Sequence, residues 1–397
     1  MKLAAPGDTG NLGGAPWPSD DDLAKMQASD YVLHAAAGRL HRVPVVKSTL
    51  PHDPAGHPQM VHAARARDGA IYVNQGSLIC RSDDEGRTWS AYPRGDSAGR
   101  EPSATLGLDM YPYRGPIAVL DDGTLVHVGS NDGIRTDPIE IVASTDQGRT
   151  WSAHSQLTLP ARYDERYYHS LRRIDDGTLL MLFCCRDRLV WEPPASGVMH
   201  LLAFRSSDGG HTWSEPSLVC DWGTEGAVAE LGGGRLLAVV RYQRPRMPDD
   251  RAKDLDPQGA RGNLAWKHVF LADSPDGGRT WGNLRQLTTV FGQCFGAPAV
   301  SGDGTIAVVH DTRYGPGPPS GRVMLSRDSG ESWADEAVYL YYGSGVSGFS
   351  ASVTLDDGDV LSIVGTCDHG PARTVWDAAI GHTQVTAIRW NPGTLAS

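Results

Sequence analysis

One octapeptide is written five times in this chain, and that repetition limits what the chain can fold into. It reads Ser82-Asp-Asp-Glu-Gly-Arg-Thr-Trp89, and it returns at Ser144–Trp151, Ser206–Trp213, Ser274–Trp281 and Ser326–Trp333. The common pattern is Ser-x-Asp-x-Gly-x-Thr/Ser-Trp, whose chemistry is that of a tight hairpin turn. Asp caps backbone N–H groups, Gly takes the positive-φ position, Ser and Thr tie the ends, and Trp packs under the turn. A row of catalytic or metal-binding Asp is the alternative. A catalytic site, however, needs unlike groups converging, and here one turn is repeated. The octapeptide therefore speaks for architecture and not for chemistry.

A second repeat interleaves with the first. Asp68-Gly, Asp122-Gly, Asp176-Gly, Gly233-Gly, Asp303-Gly and Asp357-Gly each stand between two apolar runs, at spacings of 54, 54, 57, 70 and 54 residues. Units of that length, each holding four strands A to D, are the signature of a radial array of blades. Six A–B turns predict an all-β, six-bladed β-propeller with four-stranded antiparallel blades. The sixth blade lacks the Trp-bearing turn and ends in Val375–Trp390; the segment near Arg42–Leu50 is expected to add its outer strand and close the ring. Ser19 followed by Asp20, Asp21 and Asp22 reads as a helix N-cap with an acidic first turn. It predicts a short helix reaching to about Gly38. The domain reading is thus residues 1–42 as an N-terminal arm with a short helix, and 43–397 as a single propeller.

Composition agrees. The 47 Gly, 26 Pro and 11 Trp suit many short strands with tight turns. A net charge of −11 speaks against nucleic acid and against an anionic membrane surface as partners. No apolar run is long enough for a membrane-spanning helix. The N-terminus lacks the shape of a secretion signal, so a cytoplasmic location is expected, with a secreted mature form left open. Six Cys show no metal or CxxC spacing, which suits buried thiols. Without an EF-hand or His/Cys cluster, neither a catalytic metal nor a cofactor is expected.

Strand order locates a site without any motif. In an up-down-up-down blade the A–B and C–D turns share one end, so the B–C loops and D–A crossovers share the other. Those loops vary in length and polarity, as binding loops on a rigid scaffold do. Eight residues back from each A–B turn, at the start of the innermost strand, stand Met60, Arg114, Tyr168, Glu225, Phe295 and Phe349. Strand B returns to the same mouth with Arg241 in blade 4 and Asp311 in blade 5, and Arg313 follows. Arg162, Arg166, His169, Arg186, Asp187, Trp222, His268 and His310 lie around them. Arg is dense at this mouth although the whole chain is acidic. Guanidinium groups hold carboxylates in bidentate fashion, which points to an anionic ligand.

The repeated turn, the period and the blade-4 sequence Thr224-Glu225-Gly-Ala-Val-Ala-Glu-Leu followed by Gly-Arg-Leu-Leu-Ala-Val-Val-Arg241 resemble the sialidase superfamily of Asp-box (BNR) propellers. The resemblance covers about residues 43–390. It implies an enzyme that grips a sugar carboxylate with three Arg and uses a Tyr nucleophile activated by a Glu, with an Asp as acid/base. Glu225 and Arg241 match the Glu and the second Arg; Arg313, with Arg322 as rival, matches the third. The chain departs from the pattern at Phe349, which has no hydroxyl where a Tyr is expected. It departs again in blade 1, where Gln59-Met60-Val61 replaces an Arg-Ile-Pro and the B–C connection is short. Arg114 in Arg114-Gly115-Pro116 then reaches the funnel from the neighbouring blade.

The catalytic candidates are therefore Glu225, Tyr168 as a replacement phenol, and His169 as acid/base. Arg114, Arg166, Arg241, Arg313, Trp222 and Phe349 are candidate substrate contacts. The resemblance implies an exo-acting glycoside hydrolase taking a terminal carboxylate-bearing sugar from a glycan. A lyase in which Tyr168 or His169 takes the C5 proton of a uronate remains open, as does a carbohydrate-binding propeller without turnover. Oligomeric state is not legible in the residues.

Overall fold

The computed structural model describes residues 2–3, 14–51, 61–75, 78–93, 115–129, 138–187, 198–251, 266–288, 293–312, 317–318, 320–343, 350–366 and 384–395. Among them the strands form six sheets, each the blade of a propeller. Blade 1 runs through His62–Arg65, Ile71–Asn74, Leu78–Ser82 and Ser90–Pro93, and blade 2 through Ile117–Val119, Leu125–Gly129, Ile139–Ser144 and Ser152–Leu157. Blade 3 comprises Tyr163–Arg173, Leu179–Asp187, Val198–Ser206 and Ser217–Asp221; blade 4 comprises Gly223–Glu230, Leu236–Arg244, Trp266–Ser274 and Gly282–Gln286. Blade 5 holds Gln293–Val300, Ile306–Thr312, Ser320–Ser326 and Ala337–Tyr342. Blade 6 holds Ala351–Thr354, Val360–Thr366 and Gln384–Trp390. Val46–Leu50 pairs antiparallel with Gln384–Trp390 as the fourth strand of blade 6, so an N-terminal strand closes the ring.

The five octapeptides form one turn five times. In each, the Ser hydroxyl accepts from the Gly N–H at 2.8–2.9 Å. The Asp carboxylate accepts from the backbone N–H of the Thr or Ser at 2.8–2.9 Å. The second Asp oxygen takes the Thr or Ser hydroxyl at 2.5–2.7 Å. Gly sits at positive φ in all five, 82° to 92°. Each Trp packs into the seam with the preceding blade. Trp89 lies against the cluster between blades 6 and 1, Trp151 between 1 and 2, Trp213 between 2 and 3, Trp281 between 3 and 4, and Trp333 between 4 and 5. The turn thus stabilises a blade locally while its indole contributes apolar burial between blades.

Blade 6 has no such turn, and its seam with blade 5 is filled differently. Trp390, 3% exposed, stands in that cluster and donates its indole N–H to Ser362 Oγ at 3.1 Å. Its neighbour Arg389 reaches three carboxylates at the same end, those of Glu85, Asp357 and Asp359. At this end Gly302 and Gly358 approach so closely that a Cβ on either would stand 2.7 Å from the Cα of the other.

The N-terminal segment differs from its sequence reading beyond the cap. Ser19 caps a helix, and its hydroxyl accepts from the Asp22 N–H at 3.1 Å, but the helix spans Asp20–Gln27 only. Lys47 donates to the carbonyls of Met26 and Ser29 at 2.6 Å and ends it. Residues expected to continue the helix to Gly38 instead form the strand Tyr31–Ala36, which pairs with Ala337–Tyr342 and with a further strand, Arg39–Pro44. The β-branched and aromatic run Tyr31-Val32-Leu33 suits the edge of blade 5 better than a helix.

Candidate active site

Strand A of blade 4, Gly223–Glu230, does not pair smoothly with strand B. Gly223 faces Tyr242 and Glu225 faces Arg241, so Thr224 is an extra residue in a bulge. On strand B the residues alternate. Tyr242 stacks on Phe270 and meets Trp266 edge-on within the apolar seam, while Arg241 and Gln243 take the opposite face. The bulge lets the consecutive Thr224 and Glu225 both meet that face. Arg241 Nη1 donates to both carboxylate oxygens of Glu225 at 2.7 Å, and Nη2 donates to Gln243 Oε1 at 3.1 Å. Gln243 Nε2 donates to Thr224 Oγ1 at 2.9 Å, and that hydroxyl donates to the Arg241 carbonyl at 3.2 Å. Arg241 is thereby tied to its own backbone through two side chains. Glu225 is 7% exposed, so this is a nearly buried ion pair, with desolvation offset by several charge-assisted hydrogen bonds.

A second polar cluster stands at the same end of blade 3. The Asp187 side chain is fully buried and accepts from Arg162 Nε at 2.9 Å and Nη2 at 2.5 Å. His200 Nε2 lies 3.1 Å from Asp221 Oδ1 and 3.7 Å from Asp187 Oδ2, with the Tyr163 hydroxyl 3.5 Å from its Nδ1. Burial pushes the His200 imidazole below its ordinary pKa, against the opposing pull of Asp221 and Asp187. Sequence reasoning had found Arg162 and Asp187 but missed His200 and Asp221. Their signal was weak, because they sit on the outer strands C and D.

Of the other candidates, Arg166, Tyr168 and His169 belong to strand A of blade 3, next to strand A of blade 4. Arg166 pairs with Cys185 and Tyr168 with Phe183. A register shift between Tyr168 and Ser170 leaves His169 without a cross-strand partner position. Their side chains lie outside the described residues, as do Arg114, Arg313 and Phe349 entirely. Trp222, half-buried at positive φ (61°), makes the whole crossover from blade 3 to blade 4; its carbonyl accepts from Gln243 N–H at 2.9 Å. Its ring packs against the apolar seam of those blades. The segment 215–224, read as a crossover loop, is thus mostly strand D, Ser217–Asp221.

Arg322 is not a funnel residue. It is fully buried in strand C of blade 5, with its guanidinium 4.7 Å from the Trp17 ring centroid and 5.4 Å from that of Tyr339. His310 is fully buried beside it in register, and the side chain of Asp311 lies outside the described residues. Cys184 and Cys185 are buried free thiols. Among the described residues no group of three or more His, Cys, Asp and Glu side chains is arranged to hold a metal ion.

No protein-family model and no curated protein matches this chain. Solved structures do match in fold. A protein of unknown function from Dyadobacter fermentans superposes with a TM-score of 0.59 at 16% identity, covering 87% of this chain and 98% of its own. A Hadza microbial sialidase gives 0.59 at 16% identity over 91% of this chain and 71% of its own. The α-L-arabinofuranosidase of Fusarium graminearum gives 0.59 at 17% identity over 88% and 98%. At such identities the likeness establishes architecture, and this chain shares its six-bladed propeller with sialidases and arabinofuranosidases.

Proposed function

We propose that this chain is a glycoside hydrolase that removes a terminal, carboxylate-bearing sugar from a glycan at the propeller mouth. The observation that carries the reading is the nearly buried Glu225 held on Arg241 Nη1, at the mouth end of the innermost strand. A carboxylate so placed is positioned for proton transfer, and a planar guanidinium beside it suits an anionic sugar. Solved enzymes of this architecture support hydrolysis of glycosidic bonds: they include sialidases and an α-L-arabinofuranosidase, the latter in complex with arabinobiose.

In this reading Tyr168, on the adjacent innermost strand, attacks the anomeric carbon while Glu225 takes its phenolic proton. His169 protonates the departing glycosidic oxygen, and water then cleaves the tyrosyl–sugar bond and restores both groups. Arg114, Arg166 and Arg313 join Arg241 around the sugar carboxylate. Trp222 and Phe349 offer apolar surface to the ring.

A second substrate reading rests on the engagement of Arg241 by Glu225 and Gln243. A neutral furanosyl sugar does not require that guanidinium to be released, and the arabinobiose complex of the structurally similar arabinofuranosidase favours it.

The test is a mass spectrum of products from sialylated, uronate-containing and arabinofuranosyl oligosaccharides incubated in ¹⁸O water. Products summing to substrate plus one labelled water establish hydrolysis, and the member cleaved decides between the acidic and the neutral sugar. Products summing to substrate alone, one of them unsaturated, overturn hydrolysis in favour of elimination. Binding without products leaves a carbohydrate-binding propeller. Glu225→Gln is expected to lower kcat by about 10²- to 10⁴-fold in the productive case, as removal of a proton-handling group does.

A further inference from the structure

Beneath the mouth, the six innermost strands line a partly open chamber of about 90 Å³ on the propeller axis. Ala63, Ala227, Ala297 and Ala351 line it and leave it open, where larger side chains would have filled it. No Asp or Glu faces it among the described residues, and its ionisable groups are His62 and Arg172.

Arg172 projects from strand A of blade 3 between this chamber and a wider opening at the turn end. Its Nη1 crosses to blade 4 and donates to the Val228 carbonyl at 3.2 Å. No carboxylate lies within 4.0 Å of it among the described residues, unlike Arg173, which binds Asp121 at 2.7 Å. Glu230 and Asp175 attract it along that seam, but the Glu230 carboxylate accepts from the Asp175 N–H at 2.9 and 3.2 Å and touches Arg172 at neither oxygen. The Ser350 side chain lines the same chamber. Its residue is 3% exposed, and its buried hydroxyl has no hydrogen-bond partner among the described residues. The same holds for the hydroxyl of Ser170, two residues before Arg172.

A half-buried cation with one neutral acceptor is costly, and orphaned hydroxyls add to that cost. One ligand relieves both: an acceptor that also carries negative charge. We propose that the chamber is a binding site for a single small inorganic anion of halide size, held by the Arg172 guanidinium and the hydroxyls of Ser170 and Ser350. A tetrahedral oxyanion would present four acceptor oxygens to walls that are mostly Ala, Val, Ile and Pro, so the donor set favours a monatomic anion. Neutralising Arg172 would bind blades 3, 4 and 6 through one shared ion at the axis, independently of any chemistry at the mouth.

The test compares the apparent unfolding midpoint of the whole protein in sodium chloride and in sodium gluconate at constant ionic strength, since gluconate is too large for the chamber. Raising chloride from 1 to 100 mM is expected to raise the midpoint by roughly 2 °C, as a ligand reaching about ten times its Kd does. Arg172→Met should abolish the difference between the two salts, and Ser350→Ala should weaken it. A bromide-soaked crystal should show an anomalous peak between Arg172 and Ser350. Identical curves in the two salts, or bromide found at the surface and not in the chamber, overturn the proposal in favour of water alone. If Arg172→Met does not fold, the wild-type bromide peak and the Ser350→Ala response decide it.

Discussion

The two ends of this propeller obey different rules. At the turn end, one hydrogen-bonding pattern is repeated in five blades with distances that agree to within a few tenths of an ångström. At the mouth, blades 3 and 4 differ in kind. Blade 4 carries the Glu225–Arg241 ring of hydrogen bonds, and blade 3 the Asp187–His200–Asp221 cluster. Repetition makes each blade dock on its neighbour in the same way. Chemistry needs unlike groups on a common axis, so it lies where repetition stops. The exception at the turn end is the seam of blades 5 and 6, where Trp390 stands in place of a turn tryptophan.

The largest stability effect should come from that exception. If Trp390 fills its seam as Trp151 fills the seam of blades 1 and 2, Trp390→Ala and Trp151→Ala should each cost about 3–5 kcal/mol, within error of one another. Equilibrium denaturation of both variants measures this. A Trp390→Ala cost under about 1 kcal/mol would show that the ring is closed by Val46–Leu50 and not by the indole. Arg389→Met should follow at about 1–2 kcal/mol. It removes three ion pairs, but Asp357 and Glu85 remain partly exposed and solvent screens much of their attraction.

At the mouth the comparison is sharpened by Gln243→Leu. Gln243 orients Arg241 without being the pair's main partner, so the substitution should leave the fold intact and raise KM by about 5- to 20-fold on an anionic substrate, with a smaller effect on kcat. An equal loss in both parameters would place Gln243 in transition-state binding and break the reading of it as a positioning residue.

How much of this was legible without coordinates follows the same division. The octapeptide and the Asp-Gly turns announced six blades, because turn chemistry is local and each residue's role is fixed by its neighbours in sequence. Counting back along strand A and forward along strand B brought Glu225 and Arg241 together, since cross-strand register is set by the turn between them. The count did not reveal the bulge at Thr224, and so it missed the ring through Gln243. It stopped at the rim and passed over Arg172, four residues deeper on the same strand as Tyr168. The helix was drawn too long because its cap and acidic first turn are local signals, whereas its end is set by Lys47, which comes from another strand.

The smallest effects, in acid, should separate the two ends by pH. His200 at the mouth has a folded-state pKa lowered by burial, so the native state favours the neutral ring. Its contribution is complete above the unfolded value of about 6.5 and is lost as pH falls through the lower folded value. The turn carboxylates act later. The Thr150 hydroxyl and backbone hold Asp146 down to about 2, and Asp84, Asp208, Asp276 and Asp328 are lowered as well. Their stabilisation is complete above about 4, the ordinary Asp value, and is lost as pH falls toward 2. A melting-temperature profile should therefore fall in two limbs. His200→Asn should remove the upper limb and leave the lower, while Asp146→Asn should flatten only the lower, by about one part in five. One merged limb that neither variant changes would mean that the acid response belongs to groups outside both clusters.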